Sequence, residues 1–280
     1  MAPIHSLDVI AHHYDAVFCD VWGVIHNGRQ TFPEAATALM RFRNLGKRVV
    51  LVTNVPKPRD PIPGQLDRLG FPRAAWDAIV TSGDAIRAEL AARAPGPMYK
   101  IGPAHDASLW EGLGLSQSGL DDARFMAISG LNRDDETPET YANILRQARE
   151  RDLELLCANP DIVVRVGERL IWCAGALARD YAALGGRTVM AGKPHTPIYE
   201  MANKELIALG LQADARVLCI GDGIGTDVKG AAAQGLDCLF IASGMHGETL
   251  WTDGALDSAK VAAALAAEKT SATYAMVALR

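Results

Sequence analysis

The chain has 280 residues, enough for one large domain or a domain carrying an insertion. Hydrophobic residues make up 49% and charged residues 22%, the balance of a globular protein with a real core. The net charge of −5, without a Lys/Arg cluster, argues against nucleic acid or an anionic membrane as partner, but not against a small phosphorylated metabolite.

Met1 to Asp15 has no apolar stretch of the kind a secretory signal carries, and no apolar run reaches the length of a membrane span. Cys19, Cys157, Cys173, Cys219 and Cys238 are scattered without a Cys-x-x-Cys pair, so they are expected to be buried, reduced thiols of a cytoplasmic protein rather than zinc ligands. The first strand, beginning at Val17, stops on Asp20 and is followed by Val21, Trp22, Gly23 and, further along the same loop, His26. Pro33 to Leu45 reads as a helix, with Ala36, Leu39, Met40 and Phe42 on one face and Gly46 ending it. Arg48 to Thr53 is a continuous β-branched and leucine run, the pattern of a strand buried on both faces, and it ends on Thr53 and Asn54. Four prolines then enforce a loop, a short helix covers Gln65 to Leu69, and a strand at Ala78–Thr81 leads into a helix reaching Ala94. This alternation predicts a parallel sheet with right-handed crossovers.

The rhythm changes at Pro95-Gly96-Pro97 and resumes after Gly185-Gly186, which divides the chain into a discontinuous core, 1–94 and 187–280, and an inserted α/β unit, 95–186. Inside the insertion, strands are expected near Tyr99, Phe125–Ile128, Leu153–Leu156 and Ile162–Val166, and helices over Pro138–Glu150 and Leu170–Leu184. The core then adds a strand at Arg187–Ala191 leading to Lys193, a helix over Pro197–Leu209, and a strong strand at Arg216–Ile220 running into Asp222 and Asp227. A helix over Val228–Gln234, a strand at Cys238–Ala242 and a late helix over Ser258–Glu268 complete the reading.

Asp20, Thr53 with Asn54, Lys193, and Asp222 with Asp227 all follow strands, and in a parallel sheet such ends share one edge. Clustered carboxylates call for a hard divalent cation, and Mg²⁺ prefers few carboxylates, several waters and a substrate phosphate. Lys193 and the Thr53 hydroxyl are suited to hold phosphate oxygens.

Taken together, Asp20-Val21-Trp22-Gly23-Val24, Val52-Thr53-Asn54, Gly192-Lys193-Pro194 and Gly221 to Asp227 resemble the four motifs of the haloacid dehalogenase (HAD) superfamily. The insertion, with Asn159-Pro160-Asp161 inside it, resembles the cap of the class IIA, NagD-like branch. The resemblance implies a three-layer Rossmann-like core with an α/β cap, and a phosphatase working through an aspartyl-phosphate. By match to the motifs, Asp20 is the nucleophile and a Mg²⁺ ligand, Thr53 binds the phosphoryl group, and Lys193 steadies both. Asp222 and Asp227 serve the metal, as does the main-chain carbonyl of Trp22. Substrate selection falls to the cap, with Asn159 and Asp161 as candidate contacts and a turn-stabilising role as their alternative. A cap surface of this kind could form a homodimer.

The sequence departs from the family pattern at Trp22, where phosphatases of the superfamily carry a second Asp that protonates the leaving group. Indole offers only an N–H donor. His26 or a cap residue taking over the proton is one outcome, a substrate with a good leaving group another, and a chain that binds phosphometabolites with little turnover a third. Because true dehalogenases also lack the second Asp, a metal-independent carbon–halogen hydrolase is the rival enzyme reading.

Overall fold

A computed structural model of the chain describes residues 1–166, 169–252 and 255–280. The strands in chain order are β1 (Ala2–Pro3), β2 (Ala16–Cys19), β3 (Arg48–Thr53), β4 (Ala78–Thr81), β5 (Met98–Ile101), β6 (Phe125–Ile128), β7 (Glu154–Cys157) and β8 (Val163–Val166). They continue with β9 (Arg169–Trp172), β10 (Arg187–Met190), β11 (Val217–Gly221), β12 (Asp237–Ile241), β13 (Trp251–Thr252), β14 (Ala255–Leu256) and β15 (Tyr274–Met276). The α-helices are α1 (Pro33–Asn44), α2 (Ile62–Arg68), α3 (Ser82–Ala91), α4 (Ala142–Glu150), α5 (Ala174–Ala183), α6 (Thr196–Ala208), α7 (Lys229–Ala233) and α8 (Ser258–Ala267).

The larger sheet has the order β1-β15-β12-β11-β2-β3-β4, and every pairing in it is parallel. Its central strands are buried, apart from the half-buried Arg48 that opens β3, because both faces are covered. Alternate residues divide between two apolar clusters: Val17, Cys19, Val49 and Leu51 join α1 and α2 on one face, while Phe18, Val50 and Val52 join α3, α6 and α8 on the other. From β2 the chain winds outward to β3 and β4, and the second half winds the opposite way from β11 to β12 and β15. The switch of direction therefore lies between β2 and β11, where open α/β sheets leave a crevice at their carboxyl ends.

A second parallel sheet, β10-β7-β6-β5, forms the cap. One face carries α4 and α5 over Met126, Ile128 and Leu155; the other presents Phe125, Ala127 and Leu156 to the buried cluster that includes α3. The antiparallel hairpin β8–β9 projects from this unit.

Four expectations change. Arg187–Met190, assigned to the core, is the edge strand of the cap sheet, with Arg187 opposite Glu154. Gly185-Gly186 ends α5 inside the cap, and the chain returns to the core only at Gly192. The helix expected over Leu170–Leu184 begins as strand β9 and becomes helical at Ala174, because Arg169–Trp172 pairs with Val163–Val166. The first turn of the Pro138–Glu150 helix is 3-10. The short strands β1 and β15, too brief to show a period, extend the larger sheet. The five cysteines are free and buried. Among the described residues, no helix is long and apolar enough to cross a membrane.

Candidate active site

Strand β2 delivers Asp20 and strand β11 delivers Asp222 to the crevice at the switch point. After Gly221 the backbone makes a π-helical turn over Ile224–Val228, with the N–H groups of Asp227 and Val228 both donating to the Gly223 carbonyl at 2.8 and 3.1 Å. This turn brings Asp227 back over the end of β11, where its Oδ2 accepts from the Gly223 N–H at 3.1 Å. Carboxylate oxygens of Asp20, Asp222 and Asp227 all lie within 4.8 Å of one another, and all three residues are buried. Gly23 makes room for this: at φ +87° it passes so close that a Cβ would lie 2.1 Å from Asp222 Oδ2.

Lys193 completes the cluster although its strand belongs to the other sheet. Its ammonium donates to Asp20 Oδ1 at 2.5 Å and to Asp227 Oδ1 at 2.8 Å. The Asn54 side chain sets that reach. Its Oδ1 accepts from the Lys193 N–H at 2.8 Å, and its Nδ2 donates to the Lys193 carbonyl at 3.0 Å, clamping both main-chain groups of one residue. The same Nδ2 donates to Asp161 Oδ1 at 2.9 Å, so one amide ties the end of β3, the returning chain and the cap. Thr53 lines the cavity between these groups and accepts from the Val55 N–H at 3.3 Å.

The electrostatics follow from burial. Desolvation pushes Asp20 above the usual carboxylate range, opposed by the Lys193 ammonium. Asp227 is pushed up to about 6 by burial, again with Lys193 opposing. Asp222 rises furthest, first through burial and then through the charges of Asp20 and Asp227; its Oδ2 accepts from the Met245 N–H at 2.5 Å. The Lys193 ammonium loses hydration, yet Asp20, Asp227 and Asp161 outweigh that loss and hold it protonated. With all three clustered carboxylates ionised against one ammonium, the net charge is −3 + 1 = −2, the complement of a divalent cation.

The enclosed space is about 240 Å³ and is lined by Asp20, Trp22, Thr53, Asn54, Asp161, Lys193, Asp222 and Asp227 among others. Trp22 closes one side. Its Nε1–H donates to the Arg165 carbonyl at 2.7 Å, and its ring stands edge-on to His26 with centroids 5.2 Å apart. At Gly28 (φ +82°) a Cβ would sit 2.4 Å from the indole, so this face of the ring is packed against backbone.

The other two expected residues lie elsewhere. His26 lines an apolar cavity behind the indole rather than the polar one; its Nδ1 accepts from the Gly28 N–H at 3.0 Å, and burial depresses its pKa to about 4. Asn159 is buried, its Oδ1 accepts from the Asp161 N–H at 3.1 Å, and it lines a neighbouring cavity of about 360 Å³. Sequence reasoning missed Ser243, Gly244 and Met245, which line the site just beyond the end of β12; the strand-exit logic used for Asp20 applies to them as well. Val164 and Arg165 were also missed, and nothing in their own pattern marks them, since they arrive on the cap hairpin.

A family profile of haloacid dehalogenase-like hydrolases matches residues 17–116, and a second, HAD-hydrolase-like profile matches residues 190–267. A crystal structure of a haloacid dehalogenase-like family hydrolase from Brucella suis is 44% identical with a TM-score of 0.87, covering 99% of this chain and 100% of that one. The D-glycerol 3-phosphate phosphatase of Mycobacterium tuberculosis is 23% identical over 250 residues, 85% of this chain; the match spans 65% of that longer relative. A glycerol phosphate phosphatase from the same organism has been solved with calcium, at 27% identity and a TM-score of 0.60, covering 84% of this chain and 68% of that one. Its magnesium complex is 25% identical with a TM-score of 0.61, covering 88% and 73%.

Proposed function

The chain belongs to the haloacid dehalogenase-like hydrolases, and on that footing we propose that it is a Mg²⁺-dependent phosphomonoesterase for small phosphorylated metabolites, with Asp20 as nucleophile. The observation that carries this reading is the buried ring of Asp20, Lys193, Asp227 and Asp222 around a cavity also lined by Thr53. A metal-free attack on carbon has no use for three converging carboxylates. The names of the mycobacterial relatives support sugar-phosphate-like esters as the substrate class.

In this mechanism the phosphate enters beside Lys193 and Thr53. Asp20 attacks phosphorus with the carboxylate oxygen turned away from Lys193, forming an aspartyl-phosphate as the bond to the alcohol breaks. Lys193 stays protonated and screens the repulsion between the two anions, while Asn54 holds its backbone in place. Water then attacks the aspartyl-phosphate and regenerates Asp20. The groups that would hold Mg²⁺ are Asp20, Asp222, the Trp22 carbonyl and Asp227, the last as ligand or orienting group; the ion supplies positive charge against the transferring phosphoryl. The donor set fits: all oxygens, buried, and two negative charges in excess of Lys193. Five buried free thiols support a reducing compartment such as the cytoplasm.

The test is hydrolysis of p-nitrophenyl phosphate with and without Mg²⁺. Turnover is expected to require the ion and to fall by about six orders of magnitude in Asp20→Asn, the scale seen when a covalent nucleophile is removed. Activity that survives chelation overturns the reading.

A further inference from the structure

Cleaving an alkyl phosphate leaves a strongly basic alkoxide, and a positioned acid that protonates it contributes about 10² to 10⁴ in rate. The loop after β2 holds no such acid: the Trp22 N–H is committed to the Arg165 carbonyl, and His26 faces a different cavity. The acid has to come from another element.

Cavity geometry narrows where it must stand. The space of about 240 Å³ around Asp20 takes the phosphoryl group, and the adjoining space of about 360 Å³ between core and cap takes the alcohol. The bridging oxygen lies where the two meet. Trp22, Thr53, Asp161 and Val164 line both spaces. Of these four, Val164 has no polar atom, Trp22 is a committed donor and Thr53 carries a hydroxyl that is not acidic near neutrality. Only Asp161 carries a carboxyl group that can give and take a proton.

We propose that Asp161, reaching over from the cap, is the general acid and base of this enzyme, replacing the acid that Trp22 displaces from the loop after Asp20. This rests on the phosphomonoesterase reading above. As the bond from Asp20 to phosphorus forms, the bond to the alcohol oxygen breaks with its electron pair on that oxygen, and the Asp161 carboxyl gives it a proton. The Asp161 carboxylate next takes a proton from the water whose oxygen attacks the aspartyl-phosphate; orthophosphate and the Asp20 carboxylate are released, and Asp161 is protonated again.

The surroundings suit both halves of the cycle. Asn54 Nδ2 holds Oδ1 at 2.9 Å, leaving Oδ2 for substrate. The Asp161 main chain is fixed by the Asn159 side chain on its N–H and by the Gly175 N–H, at the start of α5, on its carbonyl at 3.1 Å. Burial raises Asp161 above the usual carboxylate range, opposed by Lys193 and the Asn54 amide. The titratable groups around it are Lys193, Asp20 and Asp227 from the core and the thiols of Cys157 and Cys173 from the cap.

The experiment compares Asp161→Asn with wild type on a good and a poor leaving group in saturating Mg²⁺. Asparagine keeps an acceptor for Asn54 and loses only the proton. For glycerol 3-phosphate, kcat/KM is expected to fall about 100-fold or more, within the range for lost acid catalysis. For p-nitrophenyl phosphate it should change less than about threefold, since that phenolate leaves unprotonated, while a burst of nitrophenol appears as the aspartyl-phosphate accumulates. Equal losses on both esters, as a merely structural contact would produce, overturn the proposal, and so does unchanged alkyl turnover. Wild type alone supplies a second measurement that no folding defect can obscure. Its kcat/KM for the alkyl ester should drop on the alkaline side where the aryl ester's does not, and matching profiles refute the assignment. A wild type inactive on both esters strikes instead at the phosphomonoesterase reading.

Discussion

Two contacts between cap and core differ in what fills them. One has an apolar interior, where Ile86 and Leu90 of α3 share a buried cluster with Met98, Leu109, Trp110, Phe125 and Leu156. Its rim is polar: Arg87 donates to the Ser108, Leu109 and Glu111 carbonyls, and Arg93 pairs with Glu154. The other, across the mouth of the site, is polar: Trp22 Nε1–H donates to the Arg165 carbonyl, the Asn54 amide donates to Asp161, and Lys57 faces Asp106 at 3.7 Å. A hydrogen bond of this kind contributes about 1 kcal/mol net, whereas each large side chain inside the apolar seam contributes about 1.5–3 kcal/mol by leaving water. The contrast assigns roles. We expect the apolar seam to hold as a pivot and the polar seam to be the edge that parts for substrate and closes against water.

The largest effect that would sharpen this contrast is at the pivot. Leu90→Ala empties a fully enclosed site and is expected to cost about 2–5 kcal/mol of global stability in urea unfolding. A loss under about 1 kcal/mol would show that the seam is not a packed joint.

Acid should act on the floor of the polar seam, where His26 supports the indole. Its folded pKa of about 4 lies below the ordinary 6.5, so the unfolded chain binds the extra proton and stability is lost as pH falls through that window. Between pH 7 and 4.5 the residue alone should remove about 2 kcal/mol, at 1.36 kcal/mol per pKa unit. His26→Asn should abolish that part of the pH dependence, and identical urea midpoints for the two proteins across the range would contradict it.

The smallest effect tests the seam itself. Trp22→Phe keeps a ring against Gly28 and removes one N–H, so global stability should shift by no more than about 1 kcal/mol. The β8–β9 hairpin should nevertheless become more sensitive to limited proteolysis and KM should rise severalfold. A large fall in melting temperature without these local signs would place Trp22 in the core's stability instead.

Most of the core was legible because buried parallel strands are written as unbroken apolar runs. Arg48–Thr53 and Val217–Ile220 could be little else, and each run ends at the residue that enters the crevice. The cap was harder. Leu170 and Trp172 fit a helix as well as a strand, and only pairing with Val163–Val166 decides for the strand. Arg187–Met190 looked like core for the same reason: a four-residue strand carries no mark of the sheet that will accept it. His26 was a sound candidate by residue type, yet the loop carries it to the cavity behind Trp22 rather than to the one around Asp20.

By itself the sequence determined the alternation of strands and helices, the strand-end positions of Asp20, Thr53 and Asp222, and the absence of an acid two residues after Asp20. These are local properties, set by side-chain period and by which residue follows an apolar run. Tertiary structure decided that Lys193 leaves a cap strand yet reaches Asp20 and Asp227, because Asn54 clamps its backbone across 139 positions of sequence. It also decided that the Trp22 N–H is used up on the cap and that Asp161 stands where the two cavities meet. Such facts depend on how two sheets pack, and packing is a property of surfaces brought together from distant parts of the chain.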